Sequence, residues 1–340
     1  MEECTIFNEI KKLAQFAHYS KREQIVQGVI NALEQNLIRR GDTMPSVNKM
    51  IQKLGFARQT IVNAYQELIE RGILESKNRL GYFVASDESH QQLKVCLIIY
   101  AFDTFQETFY ETFRKSLGEH VKVDVFFHHN NFEVFQQTIN TVNAKYGVYV
   151  VAPIERPETA PLLEQLPPQK TLIVDRHISL DPSYSYIAQE FKNSSYQVFV
   201  SLLDDIRRFD EFIFLFKPFS AEPNDVLLSF QQFIADYQVN GVIKNEYESG
   251  SIEKNKVYFT IHNLELWEML KDVKNKGFKL GVDVGILSHN DDHVKEIIFD
   301  GITTFSIDFA EMGVLAAEFV KHRKPIKYIM PTKLFKRNSL

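Results

Sequence analysis

Apolar residues keep helical spacing along the early part of the chain and later give way to short continuous runs. Between Ser20 and Asn36, Ile25, Val26, Val29, Ile30 and Leu33 mark one face of a helix. Gly41-Asp42 breaks it, and Pro45-Ser46 opens a second helix with Ser46 as N-cap and Val47, Met50, Ile51 and Leu54 as its buried stripe. Gly55 ends that helix. After a turn of two or three residues, a third helix runs from about Arg58 to Arg71, buried through Ile61, Ala64, Tyr65 and Leu68. Gly72 stops it. Ile73-Leu74-Glu75 and Tyr82-Phe83-Val84 then read as two short strands, a hairpin wing behind a helix-turn-helix.

Ser86–Gln92 is polar and aperiodic, which predicts a first domain over 1–86, a linker at 87–93 and a second domain over 94–340. In the second domain strand-sized apolar runs alternate with amphipathic stretches. The runs are Val95–Tyr100, Val121–Phe127, Val148–Ala152, Thr171–Val174, Phe212–Phe216, Gly241–Ile243, Val257–Ile261 and Val282–Leu287. Continuous runs suit strands buried on both faces, so the expected fold class is α/β with parallel sheets. Their number predicts two lobes.

At 340 residues the chain exceeds one small core, and 44% hydrophobic with 24% charged residues excludes a disordered or fibrous protein. Cys4 and Cys96 are too few and too far apart for a disulfide framework or a CxxC metal site. No apolar run approaches the roughly 18 residues of a membrane span. The opening MEECTIFNEI lacks the basic start and apolar stretch of a signal peptide, so the expected location is the cytoplasm. The net charge of −5 conceals a split. Residues 1–86 hold 12 Lys+Arg against 9 Asp+Glu, whereas the remainder holds 27 against 35. A basic module on a more acidic one suits contact with a polyanion through the first domain.

The third helix offers chemistry for that contact. Arg58, Gln59 and Val62 fall opposite its buried stripe, leaving a polar first turn free to enter a major groove. Arg58 can give two hydrogen bonds to guanine, and Gln59 can pair with adenine. Thr60 completes that turn. Ser46, Asn48 and Lys49 start the preceding helix, where free N–H groups and a basic side chain suit phosphates. Lys77 and Arg79 on the wing can reach the DNA backbone or the minor groove, with Gly81 permitting close approach. The competing reading is a set of solvated polar residues on a small helical bundle. In order and spacing, Gly41-Asp42, Pro45-Ser46, Ala57–Thr60, Ala64-Tyr65, Leu68, Gly72 and Gly81–Val84 resemble the winged-helix domain of GntR-type bacterial transcription regulators. Three positions depart from that pattern: Asn48 and Val62 stand where arginines are usual, and Ala57 where Ser or Thr caps the recognition helix. Loss of such a cap costs about 1 kcal/mol.

No GxSxG, HExxH, P-loop or GxGxxG after a strand is present, so no catalytic residue, cofactor or enzymatic activity is assigned. His289 and His293 bracket the one metal-like string, and His128-His129 ends a strand; both read as loop residues rather than metal ligands. Polar and aromatic groups recur at the carboxyl ends of the strands, where open α/β sheets bind ligands. They are Phe102-Asp103, Asp175-Arg176, Lys217, His262-Asn263 and His289-Asn290-Asp291. Paired donors and acceptors beside an aromatic face suit a polyhydroxylated ligand. The sequence from Phe278 to Val320 resembles the end of LacI-type periplasmic-binding-protein-like sensor domains, through Asp291, Ile302–Thr304, Met312-Gly313 and Ala316-Ala317. LIVDRHIS and YIAQEF resemble that family's Val-Asp-Arg strand end and crossover, with Glu190 and Phe191 replacing Asp and Asn. Asn263 and Asn290 stand where acids are usual, and Val226 lies near a usual arginine.

Together the resemblances imply a bacterial transcription regulator, a repressor that binds operator DNA as a homodimer under the control of a small effector. A monosaccharide, pentose or 6-deoxyhexose of the L-arabinose or L-fucose type, is the implied effector. Its expected contacts are Phe102 as apolar plate, with Asp103, Arg176, Glu190, Lys217, Asn263, Asn290 and Asp291. Two other readings stay open: a winged helix that tethers an enzyme, and a ligand-free module that only binds a partner.

Overall fold

The computed structural model describes residues 3–15, 19–78, 80–85, 93–118, 121–143, 145–218 and 220–340. Arg79 and residues 87–92 of the expected linker lie outside them. The chain divides into two compact units, residues 1–95 with 119–122 and 142–147, and the remainder.

The first unit runs α1 (Glu3–Leu13), α2 (Lys21–Glu34), α3 (Val47–Leu54), α4 (Arg58–Glu70), β1 (Leu74–Lys77) and β2 (Gly81–Val84). Helix α1 adds to the expected elements. Its Ile6, Phe7 and Ile10 are buried in the same core as Ile25, Val29, Met50, Ile61, Tyr65 and Leu68, and Leu13 is buried as well. Gly28 lets α1 approach α2 closely, because a Cβ there would lie 2.5 Å from Ile10 Cγ1 and 2.9 Å from its Cα. Helix α2 begins with a reciprocal cap, Ser20 N–H donating to Glu23 Oε2 (2.8 Å) and Glu23 N–H to Ser20 Oγ (3.3 Å). Ser46 Oγ accepts from Lys49 N–H at 3.3 Å and starts α3, whereas Ala57 gives α4 no side-chain cap. The Tyr65 hydroxyl donates to Pro45 O at 2.6 Å and ties α4 to the entrance of α3. Strands β1 and β2 pair antiparallel, with Lys77 opposite Gly81.

The second unit holds two six-stranded sheets, and all eight expected runs are strands in them. They are β3 (Leu93–Ile99), β4 (Val121–Phe127), β5 (Val148–Val151), β6 (Thr171–Arg176), β8 (Glu211–Leu215), β9 (Gly241–Lys244), β10 (Lys256–Thr260) and β11 (Val284–His289). The last begins two residues late because Lys279–Asp283 forms a turn, in which the Asp283 carboxylate accepts from Lys279 N–H at 2.8 Å. Four short strands complete the sheets: β7 (Ser185–Gln189), β12 (Thr303–Ser306), β13 (Lys327–Met330) and β14 (Lys333–Phe335). The connecting helices are α5 (Thr104–Leu117), α6 (Phe132–Val142), α7 (Thr159–Leu163), α8 (Lys192–Ser201) and α9 (Leu203–Ile206). After them come α10 (Asn224–Tyr237), α11 (Asn263–Lys276), α12 (His293–Ile297) and α13 (Phe309–His322).

One sheet has the order β13-β7-β6-β5-β3-β4, the other β14-β12-β11-β10-β8-β9. Strands β9, β8, β10, β11 and β12 pair in parallel, and β14 closes the edge antiparallel. The chain crosses between the sheets three times, after β7, after β12 and between β13 and β14. In the second sheet the strand period of two sorts side chains cleanly. Phe212, Phe214 and Phe259 enter one core with Phe199, Phe230, Phe233 and Phe305, while Ile213, Leu215 and Tyr258 enter another with Leu266, Met269 and Ile286. Both faces are covered, and the carboxyl ends of the strands remain for binding.

Candidate functional site

In the first unit the nominated groups gather on the first turns of α3 and α4 and on the hairpin. Arg58 and Gln59 are exposed and Thr60 is half-buried. Arg58 Nη1 donates to Asn48 Oδ1 at 3.1 Å, joining the two helix starts, and Gln59 Nε2 donates to Asn63 Oδ1 at 2.8 Å. Lys77 forms an ion pair with Glu75 at 2.9 Å and lies 4.8 Å from the Phe83 ring centre. Gly81 has φ +102°, a conformation that suits glycine at the hairpin tip.

In the second unit a cleft opens where strand ends of the two sheets meet. Its enclosed volume is about 90 Å³, within a wider opening of about 830 Å³ that includes solvent. One wall comes from the first sheet: Tyr100 after β3, His128 after β4, Pro153 after β5, Asp175 and Arg176 on β6, and Gln189 on β7, with Asp103, Phe105 and Gln106 at the start of α5. The other wall carries Phe191, Glu222, His262, Asn263, His289 and Asn290.

Arg176, Asp175 and Glu222 of this cleft are each engaged by the protein. Arg176 Nη2 donates to Ala221 O, Nη1 lies 3.6 Å from Glu155, and the guanidinium stands 6.0 Å from the Phe191 ring centre. Gln189 Nε2 donates to Asp175 Oδ1 at 2.5 Å. Burial raises the Asp175 carboxyl above its usual range, against the opposing pull of Arg176 and Gln189. Glu222, buried, accepts from Lys217 N–H at 2.8 Å and pairs with His262 Nε2 at 3.1 Å. That bond raises His262 above its ordinary value.

The other two histidines stay neutral. His128 Nδ1 accepts from Asn130 N–H at 3.1 Å, so its proton sits on Nε2, 3.2 Å from Ala152 O. Burial first, then the charges of Arg176 and His129, push it down to about 4. Burial, with Lys295 and Arg176 adding to it, pushes His289 down to about 3. His289 Nδ1 and Asn290 Oδ1 are buried and have no hydrogen-bond partner. Such groups cost free energy unless something in the cleft completes them.

The structure thus places Asp103, Arg176, Asn263 and Asn290 on the cleft wall and four nominated residues elsewhere. Phe102 is 49% exposed and packs on Tyr110 and Phe127; Tyr100, Phe105 and Phe191 are the aromatic groups of the wall. Glu190 caps α8, accepting from Asn193 and Ser194 N–H at 2.8 Å each. Lys217 contributes its backbone N–H to Glu222, and its ammonium is not part of the wall. Asp291 is held by Arg337 at 2.6 and 2.9 Å and by Thr304 at 2.5 Å. The sequence reading passed over Gln189, Glu222 and the cleft role of His128. Their signal was available in part, since Gln189 and His128 stand at strand ends. His293 is exposed while His289 is buried. Among the described residues no group of three or more His, Cys, Asp or Glu could hold a metal ion, and no helix is long and apolar enough to cross a membrane.

Comparison with known proteins bears on both units. Residues 21–84 match the family "Bacterial regulatory proteins, gntR family". No curated protein matches the chain. Among solved structures, a periplasmic binding protein/LacI transcriptional regulator from Alkaliphilus metalliredigens QYMF, complexed with D-xylulofuranose, is similar at TM-score 0.59 and 12% identity, over 73% of this chain and 98% of that one. A LacI family transcriptional regulator from Silicibacter pomeroyi is similar at TM-score 0.61 and 13% identity, over 73% and 98%. The trehalose repressor from Escherichia coli is similar at TM-score 0.60 and 11% identity, over 72% and 100%. The chain therefore carries, at residues 21–84, the DNA-binding domain of the gntR family of bacterial regulatory proteins, together with a domain that has the fold of LacI-type, periplasmic-binding-protein-like transcription regulators.

Proposed function

We propose that this transcription regulator is a repressor whose operator affinity is set by an uncharged monosaccharide in the cleft of the second unit. The unpartnered Nδ1 of His289 and Oδ1 of Asn290 carry this reading, because both are buried at a cleft wall and both can bond to a hydroxyl. Arg176, Asp103, Gln189 and Asn263 supply further donors and acceptors, and Tyr100, Phe105 and Phe191 supply apolar plates for C–H faces. Among the described lining residues Arg176 is the single arginine or lysine, beside the carboxyl groups of Asp103, Asp175 and Glu222, which disfavours a phosphate ester and favours a neutral sugar. A pentose or 6-deoxyhexose, of the L-arabinose or L-fucose type, suits the mix of donors, acceptors and aromatic groups on the cleft wall. The Alkaliphilus protein of the same fold holds D-xylulofuranose, itself a five-carbon sugar. In this mechanism ligand binding and operator binding share a coupling free energy, so that a bound sugar weakens the grip on DNA. Homodimerisation matches the two-fold symmetry of helix-turn-helix operators.

A thermal-shift panel of monosaccharides and their phosphates, followed by operator binding with the best ligand, tests this function. Neutral sugars are expected to raise the melting temperature and release DNA. Loss of the Arg176 contacts typically weakens binding by two to three decades, roughly 3–4 kcal/mol. Arg176→Ala should therefore abolish the sugar response while operator binding without sugar stays near wild type. Release of DNA from that variant at the normal sugar concentration would place the effector elsewhere.

A further inference from the structure

Lys295, on the five-residue helix α12, has no solvent exposure. Lysine is almost never fully buried unless its ammonium is satisfied. Here the ammonium donates to Ser288 Oγ at 3.0 Å, His289 O at 2.9 Å and Asn290 O at 2.7 Å. Three consecutive residues at the end of β11 thus use its whole donor set, and none of the three acceptors is a carboxylate. The charged groups around it are Asp291 and Asp292 ahead of α12, Asp103 at the start of α5, and Arg337; neutral His289 adjoins it.

Two successive carbonyls that converge on one ammonium require the chain to curl. Asn290 has φ +60°, a left-handed conformation that asparagine tolerates better than most residues. The curled segment is also the one that carries the two unpartnered polar atoms of the cleft. We infer that Lys295 is a positioning residue for the ligand site: its ammonium holds the 288–290 turn in the shape that presents His289 and Asn290 to a neutral, hydroxyl-bearing ligand, without touching that ligand. The ligand half of this inference rests on the function proposed above, whereas the turn half stands without a ligand.

Lys295→Met keeps the stem and removes the three donors. In the full chain, hydrogen exchange of the Asn290 amide, which donates to Phe305 O at 2.9 Å, is expected to quicken about tenfold or more, with protection in β8 and β10 unchanged. Ser288→Ala removes a single acceptor and should quicken the same amide less, which keeps the test decisive if Lys295→Met does not fold. Unchanged exchange over residues 289–292 in either folded variant overturns the inference. Calorimetric titration with L-arabinose and D-xylulose forms the second arm. The sugar that wild type binds should bind Lys295→Met about tenfold more weakly. Burial brings the Lys295 ammonium down to about 8, so wild-type affinity should decline above that pH while the variant's does not. Equal affinity and equal pH profile in the two proteins would also overturn it. If neither sugar binds wild type, the pentose reading fails and the exchange result alone decides on Lys295.

Discussion

His128, His262 and His289 line one cleft and answer to pH in opposite senses. His128 and His289 are held at about 4 and about 3, below the ordinary 6.5. The unfolded chain takes up their protons first as pH falls, so their stabilisation is complete above about 6.5 and is lost from there down to about 4 for His128 and about 3 for His289. Each accounts for on the order of 3 kcal/mol by pH 4. His262 is raised by Glu222, so its contribution is complete below about 6.5 and disappears as pH climbs through its folded value. A melting curve recorded against pH should fall steeply on the acid side, and His289→Asn should flatten that limb. Glu222→Gln should bring His262 back toward its ordinary value in an NMR titration of its ring protons. At this scale the expected contacts and the cleft wall differ by single residues. Glu190 lies between the wall residues Gln189 and Phe191, Asp291 follows Asn290, and Phe102 precedes Asp103. Strand-end position was legible, but side was not, because the side depends on local partners. Glu190 is claimed by two helix N–H groups, and Asp291 by Arg337, forty-six residues away.

At the scale of elements, glycines decide how closely helices pack. Gly28 admits α1 against α2, and Gly313 admits α13 against α5, where a Cβ would lie 2.6 Å from Phe109 O and 3.0 Å from Phe113 N. Alanine favours an isolated helix by about 1 kcal/mol over glycine, so propensity alone would make either substitution stabilising. Contact with backbone atoms, which cannot swing aside, should reverse the sign. Gly28→Ala and Gly313→Ala are each expected to destabilise by about 1–3 kcal/mol, read from denaturant unfolding of the full chain. A stabilised variant would show that the helices part at little cost. The eight apolar runs were legible as strands because apolar residues follow one another in them. The strands β7, β12, β13 and β14 were not, since polar residues interrupt them, as in SYIAQ, TTFS, KYIM and KLF. Helix α1 did leave a trace in the spacing of Ile6, Phe7, Ile10 and Leu13, without the flanking glycine or proline that frames α3.

For the whole molecule, the division of labour between units can be measured on DNA. Arg58, whose guanidinium Nη1 donates to Asn48, is expected to read a base edge, and a bidentate guanine contact contributes about 1–3 kcal/mol of discrimination. Arg58→Ala should lose more affinity on the operator than on random duplex at equal salt. Lys77→Ala should weaken both alike and make the salt slope shallower by up to about one unit. Equal losses from Arg58→Ala on the two duplexes would confine Arg58 to phosphate contact.

The three crossings between the sheets bear on how the polypeptide is made. The first sheet draws its outer strand from residues 327–330, and the second draws its edge from residues 333–335. Neither lobe is a contiguous stretch of sequence. On the ribosome, the first sheet would wait for residues 327–330 and the second for residues 333–335, so the two are completed within a few residues of each other. Excising one lobe as a separate protein would mean cutting and rejoining the chain at all three crossings.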